Sequence, residues 1–143
     1  MANHISAGAI VHSSTEKKDV LLLHRIHTNT FHLPKGTQQS GETLEETVHR
    51  EVMEESGVEI EIQNFVSVLQ STFSRDHKII QKQTHYYSAI YKEGIPQPQD
   101  AEHDSAAFVS LAQALDLLKQ YGAHITLGYE NEYELLNIYS KKV

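Results

Sequence analysis

Segments rich in apolar residues at strand-like spacing recur along the chain. His4–His12 and Asp19–His27 are two of them, and the short polar stretch between them suits a turn. Glu59–Ser71 alternates between apolar and polar positions, which predicts one or two strands, and the aromatic-rich Gln83–Tyr91 predicts another. Phe108–Ser110 is long enough for a short strand. The pattern therefore predicts several β-strands distributed over the chain.

Helical spacing predicts one central helix and two late ones. Thr43–Ser56 forms the central helix, because its first residue is a good N-cap and Glu46 three residues later completes a capping box. Gly57 follows as the C-cap. Helical spacing returns in two later segments, Leu111–Tyr121 and Glu130–Ser140. Strands followed by one helix, further strands and late helices predict an α/β domain with a mixed sheet.

Two segments that contain Pro and Gly residues predict loops. Thr28–Gly41 contains one proline and two glycines, and Lys92–Ala107 contains two prolines. The second loop spans 16 residues, and loops of that length often carry function.

Composition narrows the class of protein. A chain of 143 residues with 39% hydrophobic and 22% charged residues predicts one globular domain over residues 1–143. No apolar run approaches the roughly 18–20 residues that span a bilayer, and we expect no signal peptide. The absence of Cys excludes thiolate zinc sites and Cys nucleophiles and favours a cytoplasmic location, and the ten His show no zinc-site spacing.

The charge balance restricts the partners. The formal net charge of −7 argues against sequence-independent binding of DNA, RNA or an anionic membrane. A metal ion could still mediate contact with a phosphorylated substrate. No feature of the sequence distinguishes a monomer from a homodimer.

Acidic residues are concentrated on the predicted central helix. Eight of the 19 acidic residues fall between Glu42 and Glu61. Glu51, Glu54 and Glu55 stand at positions i, i+3 and i+4, so their carboxylates project from one side of the helix. Two interpretations remain open on this evidence: a solvated acidic face, or oxygen ligands for a divalent cation such as Mg²⁺.

The residues around this helix follow a recognisable spacing. From Gly36 to Val58 the sequence is GTQQSGETLEETVHREVMEESGV: Gly, five residues, Glu, seven residues, Arg-Glu, an aliphatic, any residue, Glu-Glu, any residue, Gly, an aliphatic. This pattern resembles the signature of the Nudix hydrolases, here called the Nudix box. The resemblance implies an α/β/α sandwich around a central mixed β-sheet. It also implies hydrolysis of a nucleoside diphosphate linked to another moiety, with Mg²⁺ or Mn²⁺.

The resemblance assigns roles to residues of the box. It implies Glu51 and Glu55 as metal ligands, Glu54 as a ligand or general base, and Gly36 as a backbone carbonyl ligand. It implies that Glu42 and Arg50 form an ion pair that holds the loop against the helix, while Gly57 ends the helix.

Residues outside the box are expected to complete the site. Glu102 stands where many Nudix proteins carry a further Glu that binds metal or acts as the base, so the base is open between Glu54 and Glu102. For the substrate phosphates Lys35 is the first candidate. Other basic groups on flanking strands or loops are Arg25, His32, Arg75, Lys78 and Lys82.

Two stretches favour one substrate class. The LPKG lead-in before the box resembles that of Nudix enzymes acting on dinucleoside polyphosphates, diphosphoinositol phosphates or capped RNA ends. The run Glu102–Leu111 resembles the segment after the box in diadenosine tetraphosphate hydrolases. In those hydrolases a Tyr stacks on adenine, and the corresponding position in this sequence is Arg75, with Phe73 as the nearest aromatic residue. We expect Tyr87 to face the nucleotide. The predicted substrate is therefore a dinucleoside polyphosphate. The alternatives are a nucleoside triphosphate pyrophosphatase, an RNA 5′-end pyrophosphohydrolase, and a nucleotide-sensing Nudix domain without hydrolytic activity.

Overall fold

Two β-sheets form the centre of the protein. The computed structural model describes residues 2–126 and 130–143. A four-stranded sheet has the order β4-β1-β6-β5, in which only the β1–β6 pair is parallel, and a three-stranded antiparallel sheet has the order β3-β2-β7. The first sheet is therefore mixed, as predicted. The strands are β1 Ala2–His12, β2 Asp19–Arg25, β3 Thr30–His32, β4 Lys35–Thr37, β5 Glu59–Arg75, β6 Lys78–Glu93 and β7 Ser105–Ser110.

Helices flank the sheets. The predicted capping box of the central helix is confirmed: the Thr43 side chain accepts from the Glu46 amide, and Gly57 closes the helix at φ 71°. Within the described residues, no helix has both the length and the apolar character needed to cross a membrane. The helices are α1 Leu44–Ser56, α2 Leu111–Tyr121, α3 Ala123–Thr126 and α4 Glu132–Ser140.

Hydrophobic side chains form a cluster on each side of the strands. Ala9 of β1 belongs to a cluster with Val52 of α1, whereas its neighbour Ile10 belongs to a cluster with Leu118 of α2 and Leu136 of α4. Successive residues of a strand point to opposite faces, so β1 is covered by helices on both sides. This arrangement is the predicted α/β/α sandwich.

Several element boundaries differ from the predictions. The loop predicted over Thr28–Gly41 contains β3 and β4, which pair with β2 and β1. Strands of three residues are too short to give a periodic pattern, and their Pro and Gly neighbours indicated a loop. The later loop is shorter than predicted, covering residues 94–104, because β6 runs to Glu93 and β7 starts at Ser105.

The two longest strands also exceed their predicted lengths. β5 and β6 continue as a largely exposed hairpin beyond Ser71 and before Gln83, closed by Asp76 and His77 at positive φ. Their exposed residues lack the apolar alternation that marks a half-buried strand. Elsewhere, β2 ends at Arg25 rather than His27, α4 starts after its N-cap Asn131, and α3 was not predicted.

Candidate active site

An open cleft of about 600 Å³ lies where α1, β4 and the loop of residues 94–104 meet. Acidic and basic groups share its lining. The acidic residues are Glu51, Glu54, Glu55, Asp100 and Glu102, and the basic or imidazole residues are Arg25, His32, Lys35, Lys82 and His103.

One side of the cleft, here called the acidic wall, consists of Glu51, Glu54 and Glu55 of α1 with Gly36 of β4. The opposite side of α1 packs into the core, which fixes the direction of the three carboxylates. A Cβ atom at Gly36 would lie 2.0 Å from Cδ of Glu51. Only glycine therefore allows β4 to approach the Glu51 carboxylate this closely.

Glu55 is the most deeply placed carboxylate of the acidic wall. Its Oε1 accepts a hydrogen bond from the backbone N–H of Lys35 at 2.8 Å. Burial nevertheless raises the pKa of Glu55 to about 9, and the neighbouring Glu51 carboxylate contributes in the same direction. Burial also raises the pKa of Glu51. Both groups would be stabilised as carboxylates by a cation in the cleft.

Arg50 connects the acidic wall to the preceding loop. Its Nε donates to Oε2 of Glu42 at 2.6 Å and its Nη2 donates to Oε1 at 3.0 Å, so the ion pair implied by the resemblance is present. These hydrogen bonds lower the pKa of Glu42 to about 2. The same guanidinium reaches Glu51 at 2.7 Å and Glu54 at 3.2 Å. One positive charge is thus shared among three carboxylates.

Lys35 and Lys82 line the side of the cleft near α4 and pair with Glu130 and Glu132, which lie outside the lining; these four residues are here called the paired wall. The Lys35 ammonium lies 3.3 Å from Oε1 of Glu130 and 3.4 Å from Oε2 of Glu132, and Lys82 lies 3.4 Å from Glu130. Two ammonium groups therefore face two buried carboxylates, which gives a balanced set of charges.

Hydrogen bonds complete the paired wall. Thr84 donates to Oε1 of Glu130 and Tyr86 donates to Oε2 of Glu132, both at 2.6 Å. Although burial favours the protonated form of Glu130, the two lysines hold its pKa at about 2. The pKa of Lys35 is raised because its carboxylate partners outweigh the cost of burial.

The loop of residues 94–104 forms the third side of the cleft. Glu102 is 68% exposed in its side chain and accepts from Nη2 of Arg25 at 3.1 Å. Asp100 instead contacts the buried His103, with 3.0 Å between Oδ1 and Nδ1. The ligand atoms of Glu55, Asp100 and His103 all lie within 4.8 Å of one another. The sequence-based reasoning chose Glu102 and missed Asp100, which no motif marks.

Comparison with known proteins decides the family. Residues 2–127 match the NUDIX domain. The chain belongs to the Nudix family. Its fold is similar to that of a MutT protein from Methanosarcina mazei Go1 (TM-score 0.71, 23% identity, 99% of this chain and 95% of that chain). A MutT protein from Bacillus halodurans is also similar (TM-score 0.67, 23% identity, 80% and 72%). A further similar structure is an Ap4A hydrolase from C. elegans in a binary complex (TM-score 0.70, 20% identity, 96% and 96%).

The chain is thus a Nudix hydrolase, and the family and fold support a pyrophosphohydrolase that acts on nucleotide-like substrates. The acidic wall occupies the positions of the Nudix box.

Four substrate residues predicted from the sequence, Phe73, Arg75, Lys78 and Tyr87, do not line the cleft of this Nudix chain. Phe73 and Arg75 line a smaller neighbouring cavity of about 350 Å³ that shares Thr37 and Lys82 with the cleft. The Arg75 guanidinium lies over the Phe73 ring at 5.3 Å from its centroid.

Tyr87 does not line either of these cavities, contrary to the prediction. It is 8% exposed, packs in the cluster under α1, and donates through its hydroxyl to Glu45 at 2.9 Å. Tyr86 points to the other face and joins the paired wall. The alternation of side chains along β6 predicted that Tyr86 and Tyr87 face opposite sides of the sheet, but it could not predict which of them faces which side.

Proposed function

We propose that this Nudix hydrolase is a Mg²⁺- or Mn²⁺-dependent pyrophosphohydrolase whose lead substrate is a dinucleoside polyphosphate such as diadenosine tetraphosphate. The observation that carries the proposal is the acidic wall. Three carboxylates converge on an open cleft, where Arg50 is the counter-ion of Glu51 and Glu54, and such a set of hard oxygen donors suits these two ions.

The residues of the cleft fit such an ion. Gly36 leaves room for a close approach between the β4 backbone and Glu51. The hydroxyl of Ser6 is buried in the lining of the same cleft and has no hydrogen-bond partner among the described residues. Glu51 and Glu55 would hold the ion, with Gly36 as a backbone ligand. When bound, the ion would neutralise phosphate charge and lower the pKa of a coordinated water.

Glu54 is our candidate for the general base. It is the most exposed carboxylate of the acidic wall, with 55% of its side chain accessible, and it lies 3.2 Å from Nη1 of Arg50. It can therefore reach a water molecule in the cleft, whereas the carboxylates of Glu51 and Glu55 are more buried. Glu102 is turned toward Arg25, which favours Glu54 over Glu102 for this role.

Arg25 is the basic residue best placed for the substrate phosphates. Its partner Glu102 is largely exposed, and exposed ion pairs contribute little, so a phosphate could replace it at small cost. Lys35 also lines the cleft, but its ammonium is held by two buried carboxylates and is therefore less free than the Arg25 guanidinium to contact a phosphate.

The neighbouring cavity favours a substrate with a second nucleoside. It shares Thr37 and Lys82 with the cleft, and it contains the Phe73 ring and the Arg75 guanidinium. Aromatic and guanidinium groups both stack on bases. We propose that one nucleoside binds there while the phosphates lie in the cleft.

The test is a product analysis with a substrate panel. Purified protein with Mg²⁺ is given diadenosine tetraphosphate, nucleoside triphosphates including oxidised guanine, ADP-ribose and 5′-triphosphorylated RNA. We expect ATP and AMP from the dinucleotide, and no products with a chelator. A preference for another substrate would retain the metal mechanism and replace the substrate. Binding without turnover on every substrate would replace the hydrolase with a nucleotide sensor.

A further inference from the structure

His103 brings an imidazole, and Asp100 a further carboxylate, to the loop side of the cleft. Their ligand atoms and that of Glu55 all lie within 4.8 Å of one another. Donor atoms bound to a common ion at about 2.0–2.2 Å can be at most about 4.4 Å apart. Small side-chain adjustments would therefore bring the three groups onto one ion.

We propose that Asp100 and His103 of the loop, together with Glu55, form a position for a divalent transition-metal ion. The position would prefer ions that accept nitrogen ligands, such as Mn²⁺, Co²⁺ or Zn²⁺, over Mg²⁺, because imidazole suits these ions and Mg²⁺ takes oxygen ligands. The inference extends the proposed metal-dependent hydrolase by naming ligands outside the Nudix box.

The environment of His103 supports a ligand role. The residue is 6% exposed, and its Nδ1 lies 3.0 and 3.1 Å from the two carboxylate oxygens of Asp100. Because Nδ1 faces the Asp100 carboxylate, Nδ1 is the ring atom that would bind the same ion as Asp100.

The loop that carries these residues is tied to both neighbouring elements. At its start the Gln97 amide donates to the carbonyl of Ser56, the last residue of α1, at 3.0 Å. At its end the Asp104 amide donates to the carbonyl of His24 in β2 at 2.9 Å. The spacing between Asp100 and Glu55 is thus set by backbone contacts rather than by an unanchored segment.

An independent observation also indicates a ligand in this cleft. The Ser6 side chain is buried at 1% exposure, lines the cleft together with Glu55 and His103, and has an oxygen without a hydrogen-bond partner in the described part of the chain. A buried hydroxyl of this kind costs free energy unless a bound group or water satisfies it. Water coordinated to an ion at the base of the cleft would supply such a partner.

Cobalt binding tests the inference without relying on activity. Co²⁺ is titrated into the protein, and its visible absorption and its dissociation constant are measured for wild type, His103→Gln and Asp100→Asn. The matched control is Asp104→Asn, which lies on the same loop but contacts His24 outside the cleft. Thermal unfolding of each variant shows whether it is folded.

We expect His103→Gln and Asp100→Asn to weaken one Co²⁺ site by about 10- to 100-fold or more, with loss of the nitrogen-ligand absorption in His103→Gln. Asp104→Asn should bind as wild type does. Equal Co²⁺ affinity and spectra in both folded test variants and the control would overturn the inference. If hydrolysis with Mg²⁺ continued in that case, the proposed function would stand without the additional site.

Discussion

The acidic wall and the paired wall face the same cleft but differ in charge balance. Arg50 is shared by Glu51 and Glu54 of the acidic wall and by Glu42, while Glu55 accepts a single hydrogen bond among the described residues, from the Lys35 backbone N–H. The paired wall instead matches its buried carboxylates with ammonium groups. The cleft is therefore lined by more acidic than basic side chains, and a bound cation would offset this excess of negative charge.

Lys35 links the two walls. Its backbone N–H donates to Glu55, while its ammonium pairs with Glu130 and Glu132. The carboxylates of the acidic wall could therefore take part in catalysis, whereas the ion pairs of the paired wall help to hold β4 beside the acidic wall. Substitutions on the two sides should separate catalysis from stability.

The largest loss of activity is expected from Glu51→Gln. The substitution removes a proposed metal ligand while preserving the side-chain shape, so kcat should fall by about 10³- to 10⁴-fold. Stability should change little, because relief of repulsion between neighbouring carboxylates offsets the lost contact with Arg50. Steady-state kinetics with Mg²⁺ measures the effect. Glu45→Gln on the same helix is the control, and a Glu51→Gln protein with wild-type kcat would refute the metal assignment.

Lys35→Met tests the paired wall. Removal of the ammonium leaves Glu130 and Glu132 buried with Lys82 as their remaining cation, and breaking a buried pair in this way costs about 3–5 kcal/mol. Urea unfolding should show this loss, whereas Lys78→Met at an exposed site should leave stability nearly unchanged. Equal stability of the two variants would show that the buried pairs do not stabilise the fold.

Gly36→Ala tests how closely the β4 backbone and the acidic wall must approach. Because the new Cβ would meet the Glu51 carboxylate, this side chain must move away, and a displacement of about 1 Å can cost about 10²-fold in rate. The measurement is kcat together with Mn²⁺ affinity. Ser40→Ala in the same segment should have no such effect, and a fully active Gly36→Ala protein would contradict the need for a close approach.

Glu42→Gln should lower the free energy of unfolding by a smaller amount that depends on pH. The folded-state pKa of Glu42 is about 2, below its ordinary value of 4.5, because Arg50 donates to the carboxylate. The carboxylate therefore stabilises the fold fully above about pH 4.5, and this contribution is lost as the pH falls toward 2. Unfolding measured across that range should show the difference between wild type and Glu42→Gln shrinking with acid. A constant difference would exclude ionisation of Glu42 as its cause.

The acidic wall could be predicted because residues close together in the sequence determine it. A capping box fixes where α1 starts, and helical spacing then places Glu51, Glu54 and Glu55 on one side. The order of the elements predicted an α/β domain with a mixed sheet, and the resemblance to the Nudix hydrolases implied the sandwich. The short strands β3 and β4 were missed because they are defined by pairing with β2 and β1 rather than by their own sequence.

The paired wall was not predictable from the sequence. Glu130 and Glu132 follow in the chain long after Lys35, and only the packing of the α4 segment against β4 and β6 brings them together. A similar limit applies to Asp100. The loop of residues 94–104 that contains it has no hydrophobic periodicity to indicate which side chains turn into the cleft. Long-range contacts between polar residues leave no pattern in a single sequence.

The most direct test of the central claim is the initial rate of diadenosine tetraphosphate hydrolysis as a function of Mg²⁺ concentration. We expect no turnover after chelation, a saturable increase with added Mg²⁺, and no recovery in Glu51→Gln at any Mg²⁺ concentration that saturates wild type. Turnover that persists at the same rate in the chelated protein would contradict the central claim.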